Sequence, residues 1–198
     1  VTVQRANQNA FESKWLSWVG PWQYQAFAGQ LDDYKAVPDA KLIGLRLTAR
    51  PFPALEIGAS RAIQWGGDGR PESLSSLWDA ITGTKDNGGT GKEDPSNQIA
   101  GFDGQLFLQP LLNVPVSLYG QFIGEDEAGG LPAKYMYLGG ADFSSMYKDM
   151  PYQLYAEWAD TRTNGEVRRI SYAHTIYKDG YYQHGFPLGH AIGGDGQM

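Results

Sequence analysis

Residues 41–65, KLIGLRLTARPFPALEIGASRAIQW, decide the fold. Ile43, Leu45, Leu47 and Ala49 alternate with Gly44, Arg46, Thr48 and Arg50. Past Pro51-Phe52-Pro53, a second run sets Leu55, Ile57, Ala59, Ile63 and Trp65 against Glu56, Gly58, Ser60, Ala62 and Gln64. Successive side chains of a strand point to opposite faces, so each run is a strand with one apolar and one polar face. The tight proline turn makes them antiparallel neighbours. Arg61 interrupts the apolar face and predicts a bulge or a short strand at that point.

The same period recurs on both sides of this pair. Phe102, Gly104, Leu106 and Leu108 alternate with Asp103, Gln105 and Phe107. Val114, Val116, Leu118, Gly120 and Phe122 oppose Ser117, Tyr119 and Gln121, and Tyr152, Leu154, Ala156 and Trp158 oppose Gln153, Tyr155 and Glu157. Eight segments follow, roughly 22–30, 41–50, 54–64, 99–109, 114–123, 134–144, 151–160 and 168–178, with a ninth starting at Val1. A helix is expected only around 74–81. The chain is therefore all-β and antiparallel.

Connection lengths select the architecture. The turns at 51–53, 110–113 and 145–150 are short, whereas 31–40, 65–98, 124–133 and 161–167 are longer. Alternating short and long connections between strands of about 9–11 residues are the signature of a transmembrane β-barrel. Apolar faces rich in Ala, Gly and Leu with Trp or Tyr near strand ends suit a lipid belt, and Arg46, Arg50, Glu56, Asp103 and Glu157 suit a polar lumen. A soluble β-sandwich also alternates, but its strands are shorter and its Greek-key connections do not alternate in length. By parity, 6–21 and 179–198 fall on the short-turn side despite their length, which asks for folding into the lumen, folding under the mouth, or an unrecognised strand.

Composition excludes other classes. The charge of −6 argues against nucleic-acid binding and against a polybasic membrane-surface protein. No cysteine means no disulfide framework and no Cys-based zinc site. With 26 glycines and 11 prolines among 198 residues, turns are over-supplied. The chain opens Val1-Thr2-Val3 with no signal peptide, as a mature protein or an excised fragment would. The uncharged stretch 104–124 is broken by Asn113-Val114-Pro115 and reads as two strands with a hairpin, not a spanning helix.

Few motifs carry chemistry. Glu125-Asp126-Glu127 reads as a solvated loop tip, since its spacing is not that of an EF-hand. His174, His184 and His190 have no zinc spacing, and the Gly88–Lys92 stretch lacks both the first Gly and the Ser/Thr of a phosphate loop. There is no Gly-x-Ser-x-Gly elbow. The informative surface is loop 65–98, expected to be extracellular, which carries Trp65, Asp68, Arg70, Glu72, Trp78, Asp79, Lys85, Asp86, Asn87, Lys92, Glu93 and Asn97. Aromatic rings stack on sugar C–H faces, Asp and Asn hydrogen-bond hydroxyls, and Arg pairs with uronate carboxylates. Trp65, Asp68, Arg70 and Trp78 are the expected carbohydrate contacts. The competing reading is an ordinary barrel loop whose tryptophans anchor it by packing into the lumen.

Five separated stretches resemble the Wzi capsule-assembly family of Gram-negative outer membranes. They are residues 11–22 (FESKWLSWVGPW), 55–71 (LEIGASRAIQWGGDGRP), 94–103 (DPSNQIAGFD), 119–129 (YGQFIGEDEAG) and 172–196 (YAHTIYKDGYYQHGFPLGHAIGGDG). The resemblance implies an outer-membrane barrel of about eighteen strands with a periplasmic helical part. It also implies a non-enzymatic lectin that holds capsular polysaccharide at the cell surface, with loops facing outward. The 198 residues would then be a single-domain segment of eight or nine strands, without the helical part and the final strands. The implied surroundings are outer-membrane lipid, lipopolysaccharide and other capsule export components. No cofactor, metal ion or nucleic acid is expected. The alternative is a porin-like diffusion channel, with Arg46, Arg50 and Asp103 setting ion preference; a hydrolase in the barrel wall is the remaining rival.

Overall fold

In a computed structural model, the protein is described over residues 1–83, 96–128, 131–163, 172, 174–194 and 196. Eight strands form one antiparallel meander in chain order among the described residues. They are β1 (Thr2–Gln4), β2 (Trp22–Gln30), β3 (Lys41–Phe52), β4 (Leu55–Trp65), β5 (Ser96–Phe107), β6 (Val116–Ala128), β7 (Leu131–Tyr147) and β8 (Met150–Asp160). Each pairs only with its chain neighbours, so the expected all-β antiparallel architecture is present, including the ninth start at Val1 as β1.

Register turns the alternation into two faces. Leu47 pairs with Ala59, Ala59 with Phe102, Phe102 with Phe122 and Phe122 with Tyr137, giving an apolar row across five strands. One residue along, Thr48, Gly58, Asp103, Gln121 and Leu138 pair in the same way on the other face. The apolar face is left bare: Leu47 is 51% exposed, Phe102 54% and Leu154 63%. Each such side chain is worth about 1.5–3 kcal/mol on removal from water, so a face of them requires an apolar surrounding. The polar face pairs its charges. Arg46 donates to both oxygens of Asp103 at 2.7 Å and to Ser60 at 3.1 Å, and Arg50 lies 3.8 Å from Glu56. Gly58 makes room for this, since a Cβ there would stand 2.6 Å from the Asp103 carboxylate.

One end of the sheet carries tight turns. Phe52 pairs with Leu55 across Pro53-Ala54, and Tyr147 pairs with Met150 across Lys148 and Asp149. Lys148 and Asp149 both have positive φ, 46° and 65°, as a type I′ hairpin demands. A single turn of helix, α2 (Gln109–Leu112), ends at left-handed Asn113, where the turn between β5 and β6 was expected. Residues 5–21 also lie here: Arg5 donates to Trp22 O at 2.6 Å, Phe11 stacks on Trp22 at 4.6 Å, and Arg50 N donates to Pro21 O at 2.8 Å.

Four expectations are corrected. Residues 124–133 are not a long connection, because β6 and β7 stay paired out to Ala128 and Leu131. Glu125 is accordingly no solvated tip; its side chain is 8% exposed and lies 3.6 Å from Lys134. The described part of 168–178 is turn and bend, not strand, so the parity that put 179–198 on the short-turn side does not apply. Finally, Arg61 makes no bulge. It pairs regularly with Leu45 and Ala100 and points out of the apolar face toward α1 (Leu74–Thr82), the one longer helix expected from the sequence.

Residues 174–194 instead fold back over the polar face at the long-connection end. They include a small hairpin, β9 (Tyr182–Gln183) and β10 (Phe186–Pro187), turned at His184-Gly185 with φ 50° and 80°. Tyr172 and Tyr181 bury against Met136, with Leu42, Ala62, Ile99 and Ile123 beside them. Tyr181 Oη donates to Asn97 O at 2.8 Å and Ala62 O at 3.1 Å, and Gln64 Nε2 donates to Gly180 O at 2.7 Å. Further across, His190 Nε2 lies 3.2 Å from Glu157, which also accepts from Tyr119 Oη at 3.0 Å.

Candidate functional site at the long-connection end

Three segments meet above the polar face. Leu31, Val37 and Ala40 of the first connection pack with Tyr177 in a small buried cluster, and Leu42 and Ile176 lean against it. Tyr177 Oη donates to Gly66 O at 3.1 Å, which ties in the start of the second connection. That connection turns through Gly66, Gly67 and Gly69, all with positive φ (67°, 97° and 75°). Gly67 presses so closely on the first connection that a Cβ would stand 2.7 Å from both Pro38 O and Val37 Cγ1. Asp68 N donates to Pro38 O at 2.9 Å, and Arg70 N donates to Gly67 O at 3.0 Å. Glu72 locks the turn from the side, accepting from Gly67 N at 2.8 Å and Lys41 Nζ at 2.9 Å. These two donors hold the Glu72 carboxyl below the ordinary glutamate value, Lys41 being the larger cause.

The third segment completes the rim. Lys35 is buried, and its ammonium donates to Tyr182 O. Burial lowers its pKa, while Asp179 and Asp32 push the other way. Asp32 accepts from Gln183 and lies 3.1 Å from His184 Nε2. Tyr34 Oη accepts from His184 N at 2.5 Å, and the two rings lie 5.6 Å apart. Tyr34 stays 55% exposed and the His184 side chain 71%, so a rigid base presents an aromatic pair and charged groups to solvent.

The four expected contact residues divide between two places. Asp68 and Arg70 sit in the glycine turn, Asp68 exposed and Arg70 half-buried. Trp65 ends β4 on the apolar face, where its Nε1 donates to Ser76 Oγ at 3.2 Å. Trp78 is 65% exposed on the opposite side of α1 from Ser76 and Ala80. Neither tryptophan packs into the lumen, and α1 separates them, so they do not form one stacking platform. Lys85, Asp86, Asn87, Lys92 and Glu93, together with the Gly88–Lys92 stretch, lie outside the described residues. Sequence reasoning missed Asp32, Tyr34 and His184, because their meeting depends on contacts about 150 residues apart along the chain.

A meander with a bare apolar face, a charge-paired polar face, and a mouth end packed with its own chain defines a wall segment of a transmembrane β-barrel. Comparison with known proteins is more specific. The model of the capsule assembly protein Wzi family matches residues 1–198, and the chain belongs to that family. An uncharacterized 55.8 kDa protein in the cps region of Klebsiella pneumoniae is 56% identical over 196 residues, 99% of this chain and 38% of the relative. A solved structure of Wzi from Escherichia coli superposes with a TM-score of 0.85 at 52% identity, covering 99% of this chain and 41% of that one. That protein is described as an outer membrane protein involved in group 1 capsule assembly and as a carbohydrate-binding β-barrel. The chain thus spans about two fifths of the length of these relatives.

Proposed function

We propose that the protein is a non-catalytic outer-membrane lectin that holds capsular polysaccharide at the Gram-negative cell surface, with its long connections facing outward. The observation that carries this reading is the mouth. Residues 174–194 lie over the polar face, and the wall charges Arg46–Asp103 and Arg50–Glu56 neutralise each other, which favours a binding surface over an ion path. The family and the carbohydrate-binding relative support it. In this reading Asp68 hydrogen-bonds sugar hydroxyls, Arg70 meets uronate carboxylates, and the Tyr34–His184 pair offers ring faces to sugar C–H groups. Trp65 acts from below, by holding α1 in place. Each contact is weak, and a long polymer engaging many barrels gains avidity.

The test is co-sedimentation of purified capsular polysaccharide with the whole barrel in detergent, across a salt titration. Asp68→Ala with Arg70→Ala is expected to lower binding about tenfold, roughly the loss of one charge-assisted contact. Unchanged binding in the double variant would sink the site assignment. No binding by the parent protein at any salt would sink the lectin itself.

A further inference from the structure

Helix α1 is built the wrong way round for a surface helix of a water-soluble protein. Its wall-facing side carries small residues, Ser76 and Ala80, both buried. Its outward side carries Leu74, Trp78 and Ile81, which are 87%, 65% and 37% exposed. The spacing i, i+4, i+7 makes these three one continuous stripe. An ordinary amphipathic helix buries such a stripe; this one turns it away from the protein.

The place where the helix docks explains the inversion. Along β4 the apolar-face positions are Leu55, Ile57, Ala59, Arg61, Ile63 and Trp65. The helix covers the last three: Ile63 is fully buried, Trp65 Nε1 reaches Ser76 Oγ, and the Arg61 guanidinium donates to Ile81 O at 2.8 Å and to Gln98. Ser96 and Gln98, the polar residues next door on the same face of β5, are 1% and 6% exposed. The wall here is polar where its lower part is apolar, and the helix caps that polar patch with a new apolar surface. An 11-residue strand is about 36 Å long, and a tilt of roughly 40° leaves about 28 Å of height, close to the ~25 Å apolar band of such barrels. The upper third of β4 therefore lies at the rim of that band. The helix lies along this end of β4, with Ser76 at Trp65 and Ile81 O at Arg61, so its stripe stands outward of the wall beside the bare surface of Ile57, Leu47 and Phe102.

We propose that α1 is an interfacial helix laid against the barrel wall, with Leu74, Trp78 and Ile81 seated in the outer leaflet at the boundary between headgroups and acyl chains. Trp78 then anchors in the membrane, as aromatic side chains with one apolar and one polar end do at that depth. Asp68 and Arg70 remain above the surface, so the helix sets the height at which the mouth stands over the lipid.

The experiment is spin-label depth measurement on the whole barrel in lipid bilayers. Single cysteines replace Leu74, Trp78 or Ile81, with Asp68→Cys as the aqueous reference and Leu47→Cys as the lipid reference. Residues 1–198 contain no cysteine, and any cysteine elsewhere in the whole barrel is replaced by serine first. Labels at the three helix positions are expected to collide with dissolved oxygen several-fold more than with a water-soluble nickel complex, at a depth between the references. A profile like that at Asp68 would overturn the proposal. Shielding from both colliders would overturn it in favour of a covering protein segment, and dipolar broadening would overturn it in favour of a second copy. Unboiled gel mobility confirms that each variant is folded, so a failed fold is not read as a result.

Discussion

Arg61 serves an element other than its own strand. A charged side chain in an apolar row looks like a fault in the strand, and the alternation alone predicts a bulge. The pairing is regular because the guanidinium serves another element, capping the C-terminal carbonyls of α1 where cations are favoured. Arg61→Leu should loosen α1 and spare the sheet. With charge-assisted bonds worth about 1.5–3 kcal/mol, amide exchange in α1 should rise roughly tenfold to a hundredfold while β4 and β5 stay protected. Equal acceleration in the strands would contradict this. Gly67 is the other single point of control. Alanine there combines φ 97° with a Cβ 2.7 Å from Pro38 O, and should cost about 2 kcal/mol or more. The expected readout is a lower midpoint for proteolytic cutting in 31–40. Glu72 adds a pH dependence of definite sign. Its folded pKa is lowered, so its tie is present above the ordinary glutamate range and is lost as pH falls through the lowered value. Glu72→Gln should therefore show at neutral pH the loop opening that the parent shows only in acid. The group is 43% exposed, which keeps the effect small.

Among elements, the strands were legible and the covering segment was not. Period-two patterning marks β2 to β8 because each strand separates lipid from lumen residue by residue. The alternation that marked 168–178 as a strand is misleading, since the described Tyr172 and Tyr177, with Tyr181 beyond them, reach a wall already built and do not pair with a neighbour. Helix α1 was legible as a helix. Its side of the wall was not, because nothing local says whether a loop enters a barrel or climbs over it. Tyr181→Phe removes a buried hydroxyl shared by Ala62 O and Asn97 O and should destabilise the cover by about 1–2 kcal/mol. Deleting 174–194 from the whole barrel should raise single-channel conductance from near silence to a porin-like level. Unchanged conductance would mean that another part of the protein closes the lumen.

The sheet has edges. Strands β1 and β8 end it on the two sides and do not pair with each other among the described residues. Unpaired strand edges are not tolerated in hydrocarbon, where each open N–H and C=O costs several kcal/mol. Residues 1–198 expressed alone are therefore expected to show no heat-modifiable band on unboiled gels, whereas the whole barrel shows one. A shifted band from the short chain would mean that this sheet closes on itself. The strands were legible from local pattern, and the connection lengths pointed to a barrel even though 124–133 is shorter than expected. The mouth was not, because it is written in contacts that span most of the chain.

Those spans also impose an order in time. The wall is joined by hairpins between neighbours, while the ties from 174–194 to the first connection bridge 143 to 151 positions. Closing a loop that long brings nothing until the strands that receive it exist. The rim is therefore expected to close after the wall has formed. If the Tyr34–His184 pair contacts sugar as proposed, that part of the grip would belong to finished molecules, and half-assembled ones would compete less well for polymer.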